Sequence, residues 1–141
     1  MKSAAETVLA GVYAKLNGLG TLGSVCVDPK QGQGDRYTVV DNPVELPGTT
    51  KNTDHTEVII TAMSWATTLL QAQQDRGRVV EALSTRIRAD YITVAAGFFV
   101  TSQQYDAGLG IDANTRSVKD EQTGLAFYGA PARVRFLIQQ L

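Results

Sequence analysis

The residues able to do chemistry are few and scattered. The chain has one histidine, His55, and one cysteine, Cys26. A zinc site built on two or more Cys or His ligands is therefore excluded within a single chain, as is an intrachain disulfide. His55 follows Asp54, and Glu57 lies two residues on. Positions i and i+2 share a face of a strand, which would allow a local acid/base pair between His55 and Glu57. No third group at readable spacing completes a nucleophilic site, and a solvated histidine at a strand end accounts for the same residues. Cys26 stands between Val25 and Val27. That setting suits a small hydrophobe in a strand better than a reactive thiolate, which needs an electropositive, partly exposed environment. Gly32-x-Gly34 and Gly108-x-Gly110 lie in polar runs. A dinucleotide fingerprint needs a strand before its glycines and a helix after them, so both pairs read as turns. No catalytic residue, metal ligand or cofactor-binding residue is assigned, and the chain reads as a non-enzyme.

The remaining charged candidates suit contact better than catalysis. Arg76, Arg78, Arg86 and Arg88 crowd together in sequence, but on a helical wheel they scatter around the circumference and form no stripe. Arg133 and Arg135 share one face of a strand. Two arginines are too few to read a DNA sequence; they suit a surface facing DNA backbone, or pairing with acids of a neighbouring subunit. Asp120 and Glu121 occupy a polar turn that ends in Gly124, with no metal or glycosidase pattern around them. Arg76, Arg133, Arg135, Asp120 and Glu121 are the candidate subunit or tube contacts.

The elements that would position these residues centre on one strand and one long helix. Asp54 to Trp65 is rich in β-branched and aromatic residues and reads as a strand. From about Thr68 to Ala89, residues Leu69, Ala72, Val79, Val80, Leu83 and Ile87 recur at helical spacing. Arg76 falls inside that apolar arc. Either the helix starts later, with Asp75 as N-cap, or Arg76 reaches a partner.

An opening helix is signalled by Ser3-x-x-Glu6, a capping box. Ala5, Val8, Leu9, Val12 and Leu16 follow on one face, and Asn17-Gly18 is a stop signal. Thr7, Ala10, Gly11 and Ala14 make a second face of small residues. Helix propensity explains the alanines; close packing against another subunit is the alternative. Short strands are expected at Ser24–Val27 and from Tyr37 towards Leu46, irregular near Pro43. Others are expected at Gly97–Thr101, Thr115–Lys119 and Leu125–Gln139, the last two joined as a hairpin through Asp120–Gly124. Pro47–Thr53 reads as a loop tip, and Tyr105–Asn114 as an irregular loop. In the last strand Val134, Phe136 and Ile138 alternate with Arg133 and Arg135.

The order α-β-β-β-α-β-β predicts an α+β domain over residues 1–141. Its mainly antiparallel sheet has four to five strands, with both helices packed on one face. The composition is consistent with a single domain: 141 residues, 43% hydrophobic and 19% charged. Thirteen Lys and Arg against fourteen Asp and Glu argue against a free-standing nucleic-acid binder. Glu6 and Thr7 interrupt any secretory apolar core, and no window has the apolar length of a membrane span. A soluble protein made in a reducing cytoplasm is expected.

Arg36-Tyr37-Thr38-Val39-Val40, then His55-Thr56-x-x-Ile59-Ile60-Thr61-x-Met63-Ser64-Trp65, form an ordered pattern with Ala72-x6-Val79-Val80-x-Ala82-Leu83. Asp120-Glu121-Gln122-Thr123-Gly124 and a last strand ending Ala132-Arg133-Val134-Arg135-Phe136 complete it. Over nearly the whole chain this resembles the tail terminator, or tail completion, proteins of long-tailed bacteriophages, prophages and gene transfer agents. Tyr91 to Asn114 is longer and richer in glycine than that family leads one to expect. The resemblance implies a virion protein, assembled in the host cytoplasm. It implies a homo-oligomeric ring, usually of six subunits, on the head-proximal end of the tail tube. Such a ring stops tube polymerisation and offers a joining surface to head-completion or neck proteins. It also implies that genome DNA passes through the lumen unread, with no cofactor and no catalysis. Another head–tail connector, a small α+β enzyme using His55 with Glu57, and a DNA-binding adaptor using Arg133 and Arg135 are the alternatives.

Overall fold

The fold is described from a computed structural model, which describes residues 3–27, 36–40, 43–47, 55–85, 87–105, 116–119 and 126–140. It is an α+β fold with a mostly antiparallel sheet. The elements in order are α1 (Ala4–Leu19), β1 (Ser24–Cys26), β2 (Arg36–Val40), β3 (Val44–Pro47) and β4 (His55–Ala66). Then come α2 (Leu69–Leu83), a 3-10 turn (Arg88–Asp90), β5 (Phe98–Tyr105), β6 (Arg116–Lys119) and β7 (Ala126–Gln140). Seven strands form one sheet, in the order β1-β2-β4-β7-β5. β3 lies on the same edge of β4 as β2, and β6 on the same edge of β7 as β5. The sequence led us to expect four to five strands; the described sheet is five strands wide but contains seven, because each flanking strand is broken in two. Among the described residues only the β1–β2 pair is parallel.

β4 and β7 form the spine, paired antiparallel from His55↔Gln139 to Ala66↔Tyr128. Alternation along them decides the two faces. Val58, Ile60, Ala62, Ser64 and Ala66 of β4 are buried, as are Ala130, Ala132, Val134, Phe136 and Ile138 of β7. Val58, Ile60, Ala62, Ala132, Val134, Phe136 and Ile138 meet Val8, Val12 and Leu16 of α1 and Val79 and Leu83 of α2 in the core, while Ala66 and Ala130 pack with Ala72 of α2. The polar pair on this face, Thr38 and Ser64, lies hydroxyl to hydroxyl at 3.4 Å. The odd-numbered residues of β4 and β7 face the other way.

Helix α1 begins as its sequence signals: Ser3 Oγ accepts from Glu6 N–H, and Glu6 returns the bond to Ser3 N–H. It does not stop at Asn17-Gly18. It runs to Leu19, and Gly20 supplies the left-handed cap at φ 68°. The small-residue face also resolves within the chain. Thr7 Oγ1 accepts from Ala95 N–H at 2.6 Å. A Cβ added at Gly11 would stand 2.6 Å from the Thr93 carbonyl oxygen. Thr7 and Gly11 are therefore small because the segment after the 3-10 turn crosses close over them; Ala10 and Ala14 are exposed.

Helix α2 starts at Thr68, whose hydroxyl accepts from Gln71 N–H, so the later start with Asp75 as N-cap does not occur. It ends at Leu83, six residues before Ala89. Ile87, placed on the apolar arc by periodicity, lies beyond the helix and is 63% exposed. Leu69 is half exposed as well. The buried stripe is Ala72, Asp75, Val79 and Leu83: a carboxylate sits where an apolar residue is expected. The loop tip at 48–53 and the segments 106–115 and 120–125 lie outside the described residues. β6 and β7 nevertheless pair from Lys119↔Ala126 inward, which is the expected hairpin.

Candidate interaction surface

Asp75 is fully buried and accounts for one set of the chain's arginines. Arg36, at the start of β2, holds it with two donors, Nε at 2.8 Å and Nη2 at 2.7 Å. Arg78 adds a contact at 3.0 Å and Gln71 Nε2 another at 3.0 Å. Both arginines also donate to the Thr21 carbonyl, which ties the turn after α1 into the same knot. A buried carboxylate is tolerable only when paired and hydrogen-bonded, and this one is. Its role is to fix α2 against the sheet.

Arg76 reaches a partner inside the chain. Its Nε donates to the Pro131 carbonyl at 2.7 Å, and its head donates to the Tyr105 hydroxyl while lying 5.4 Å from that ring's centroid. The local reason is visible in the register. β6 pairs with β7 at 126–129 and β5 with β7 at 134–140, so residues 130–133 have no described strand beside them on that edge. Proline at 131 has no N–H to leave unpaired there, and Arg76 satisfies its carbonyl.

The face of the sheet away from the helices carries the other arginines. Rungs across it run Leu46–Glu57–Leu137, Val44–Ile59–Arg135–Gln104, Thr61–Arg133 and Tyr37–Trp65–Gly129. No described helix packs on this face. Ile59, Met63, Trp65 and Leu137 are half-buried, while Val44 (55%) and Leu46 (41%) are exposed. Trp65 lies flat over Gly129, where an added Cβ would meet the indole at 2.7 Å. Arg135 Nε stands 2.7 Å from Glu57 Oε1. That contact is an ion pair without hydrogen-bond alignment, since the same oxygen is buried and lacks a geometrically acceptable donor. Arg133 makes no ion pair with any described residue, and its Nε is buried without a hydrogen-bond partner. The structure thus places Arg133 and Arg135 on one surface and turns Arg76 inward. Asp120 and Glu121 lie outside the described residues.

His55 begins β4, half-buried, opposite Gln139. Glu57 is committed to Arg135 rather than to His55, so the acid/base pair is not assembled. Cys26 is half-buried rather than buried, with Sγ 3.7 Å from the Thr38 carbonyl. Among the described residues no group of three or more His, Cys, Asp or Glu could hold a metal ion, and no helix is long and apolar enough to cross a membrane.

Superposition aligns 97% of the chain with 99% of a chain from the virion of a native gene transfer agent particle, at a TM-score of 0.63 and 12% identity. The two chains share a fold. No protein-family model matches the sequence. No curated protein matches it either. Asp75 is the residue that sequence reasoning missed. Its signal was a carboxylate inside an apolar arc with an arginine three residues later, but its main partner, Arg36, is 39 positions away.

Proposed function

We propose that this chain is a structural virion protein of a phage-like particle, and within it the tail terminator. Copies would form a ring on the head-proximal end of the tail tube, stop its polymerisation and present a joining surface to head-completion or neck proteins. Genome DNA would pass through the lumen without being read. The observation that carries this reading is the end-to-end fold match to a gene transfer agent virion chain, 97% against 99%. The sequence pattern running from Arg36 to Phe136 points the same way.

The geometry fits an assembly role. Stopping a polymer is a matter of shape: one ring face must match the tube and the other must not. Arg133 and Arg135 face outward from a sheet surface that no described helix covers. We assign them, with Asp120 and Glu121, to contacts with neighbouring copies or the tube. Arg76 supports that surface from behind by holding β7 at Pro131.

Deleting the gene tests the reading. Tails of uncontrolled length and heads left unjoined are the expected outcome; normal tail length with normal head joining would overturn it. Electron microscopy of labelled particles separates the terminator from a neck protein by position, at the top of the tube or above it.

A further inference from the structure

The segment between α2 and β5 is held down by side chains, not by backbone pairing. Among the described residues, the backbone-to-backbone bonds of residues 87–97 are local turns. Asp90 N–H donates to the Ile87 carbonyl, Tyr91 N–H to the Arg88 carbonyl and, at the far end, Phe98 N–H to the Ala95 carbonyl. Two N–H groups reach the body of the molecule instead. Gln103 Oε1 accepts from Ile92 N–H at 3.0 Å, and Thr7 Oγ1 accepts from Ala95 N–H at 2.6 Å. Ile92 is the buried side chain of the segment, Tyr91 and Val94 pack against the core in part, and Ile87, Ala89, Thr93 and Ala96 are exposed. Outside, the Arg88 guanidinium lies 4.8 Å over the Phe99 ring, a weak tether at an exposed site.

These ties differ in kind from those of a helix or a strand, where an N–H is freed only by opening a ladder that its neighbours also hold. Here each tied N–H depends on one side-chain acceptor. The notch at Gly11 sets where the segment rests: a Cβ added there would stand 2.6 Å from the Thr93 carbonyl oxygen and 3.1 Å from Ile92 Cδ1. That is close contact, not a hydrogen bond. Gln103 also burdens the docked arrangement. It is fully buried, its Oε1 is taken by Ile92, and its Nε2 has no acceptor among the described residues. A buried donor left unpaired destabilises the arrangement that buries it. Lifting the segment frees that donor, so opening costs less than the burial of Ile92 alone implies. At the β5 end stands Gly97, at φ 93° with open space where a Cβ would be, a residue able to absorb a change of chain direction.

We propose that residues 87–97 are a strap that lifts off α1 and β5 as one unit while the sheet and both helices stay folded. Asp90 of the strap lines a cleft of about 470 Å³ with Lys15 and Glu81, and lifting widens that cleft and bares the Gly11 notch. Elements that change shape on docking are drawn from such low-stability parts of a fold. The strap gives the helix side of the molecule a movable edge, whether or not the chain is a terminator. The test is native-state hydrogen exchange of the full chain, followed residue by residue by NMR. Ile92 and Ala95 amides are expected to exchange at least about a hundredfold faster than those of Val58 and Phe136 in the spine. Their rate should scarcely respond to low urea, because little surface is exposed. Thr7→Val removes the acceptor of Ala95 and is expected to speed Ile92 and Ala95 together, by about tenfold. Ile60→Val weakens the sheet and is expected to speed Val58 and Phe136 about five- to tenfold while leaving the strap amides unchanged. Strap amides that exchange no faster than the spine, or respond to urea as steeply, would overturn the proposal. So would Thr7→Val acting on Ala95 alone, or Ile60→Val speeding strap and spine alike.

Discussion

Two regions of the molecule place arginines against a β-strand, and they treat them in opposite ways. Around Asp75, two arginines and a glutamine leave a fully buried carboxylate with a donor on each oxygen, and both arginines also donate to the Thr21 carbonyl. On the open sheet face, Arg135 meets Glu57 without good alignment and Arg133 meets nothing among the described residues. The first arrangement is finished within one chain. At Arg133 the second is not, and an unsatisfied polar group at a half-buried position is where a partner, as proposed above, would complete the structure. The comparison separates charge that holds the fold from charge proposed to act in assembly, and on that proposal substitutions on the two sides differ in what they damage.

The largest effect belongs to the knot. Arg36→Met removes two of the donors on a buried carboxylate, and breaking such a pair costs about 3 kcal/mol. Urea denaturation is the measurement; a loss below about 1 kcal/mol would mean that Arg78 and Gln71 suffice alone. The effect is asymmetric. Asp75→Asn should cost less, because Arg36 and Arg78 are 31% and 41% exposed and water can receive them. If Asn proves the worse of the two, the buried charge is not what the site is built around.

Next comes the close approach between α1 and the strand-leading segment. Gly11→Ala would drive a methyl group to 2.6 Å from the Thr93 carbonyl, which is backbone and cannot swing aside. Overpacking of this kind costs about 1–3 kcal/mol. It should also loosen the Thr7–Ala95 bond, seen as faster amide exchange at Ala95. An unchanged melting temperature would show that the crossing is looser than described.

Arg76 ranks below these. Arg76→Ala leaves the Pro131 carbonyl without its donor, in a gap that no described strand fills, at a cost of about 1–2 kcal/mol. Because the same β7 segment carries Arg133, assembly is expected to weaken too, and only as far as stability does. Assembly lost with stability intact would instead make Arg76 a direct contact between subunits.

How much of this could be read from the chain follows from the distance between partners. The Ser3–Glu6 box, the β6–β7 hairpin and the alternation of Val134, Phe136 and Ile138 with Arg133 and Arg135 are local patterns, and each was legible. The end of α2 was not: Ile87 keeps helical spacing, but the chain leaves the helix at Leu83 and turns at Arg88–Asp90. Asp75 was misread for the same kind of reason. Its acceptor role depends on Arg36, which only the fold brings near. The small face of α1 pointed to close packing, but its partner, residues 92–95, lies more than eighty positions away and carries no mark in sequence.

The smallest expected effect on stability is the most telling for the comparison. Arg133→Met removes an unpartnered buried Nε and adds apolar volume beside Ile59 and Met63. The isolated chain should therefore melt within about 0.5 kcal/mol of wild type, or slightly above it. Arg36→Met at the knot replaces the same residue type by the same side chain and should cost several times more. Equal losses at the two sites would mean that Arg133 is satisfied within the chain after all, and the distinction between finished and unfinished charge would fall. A silent Arg133→Met in the single chain, with weakened association between chains, places the role of that arginine between subunits.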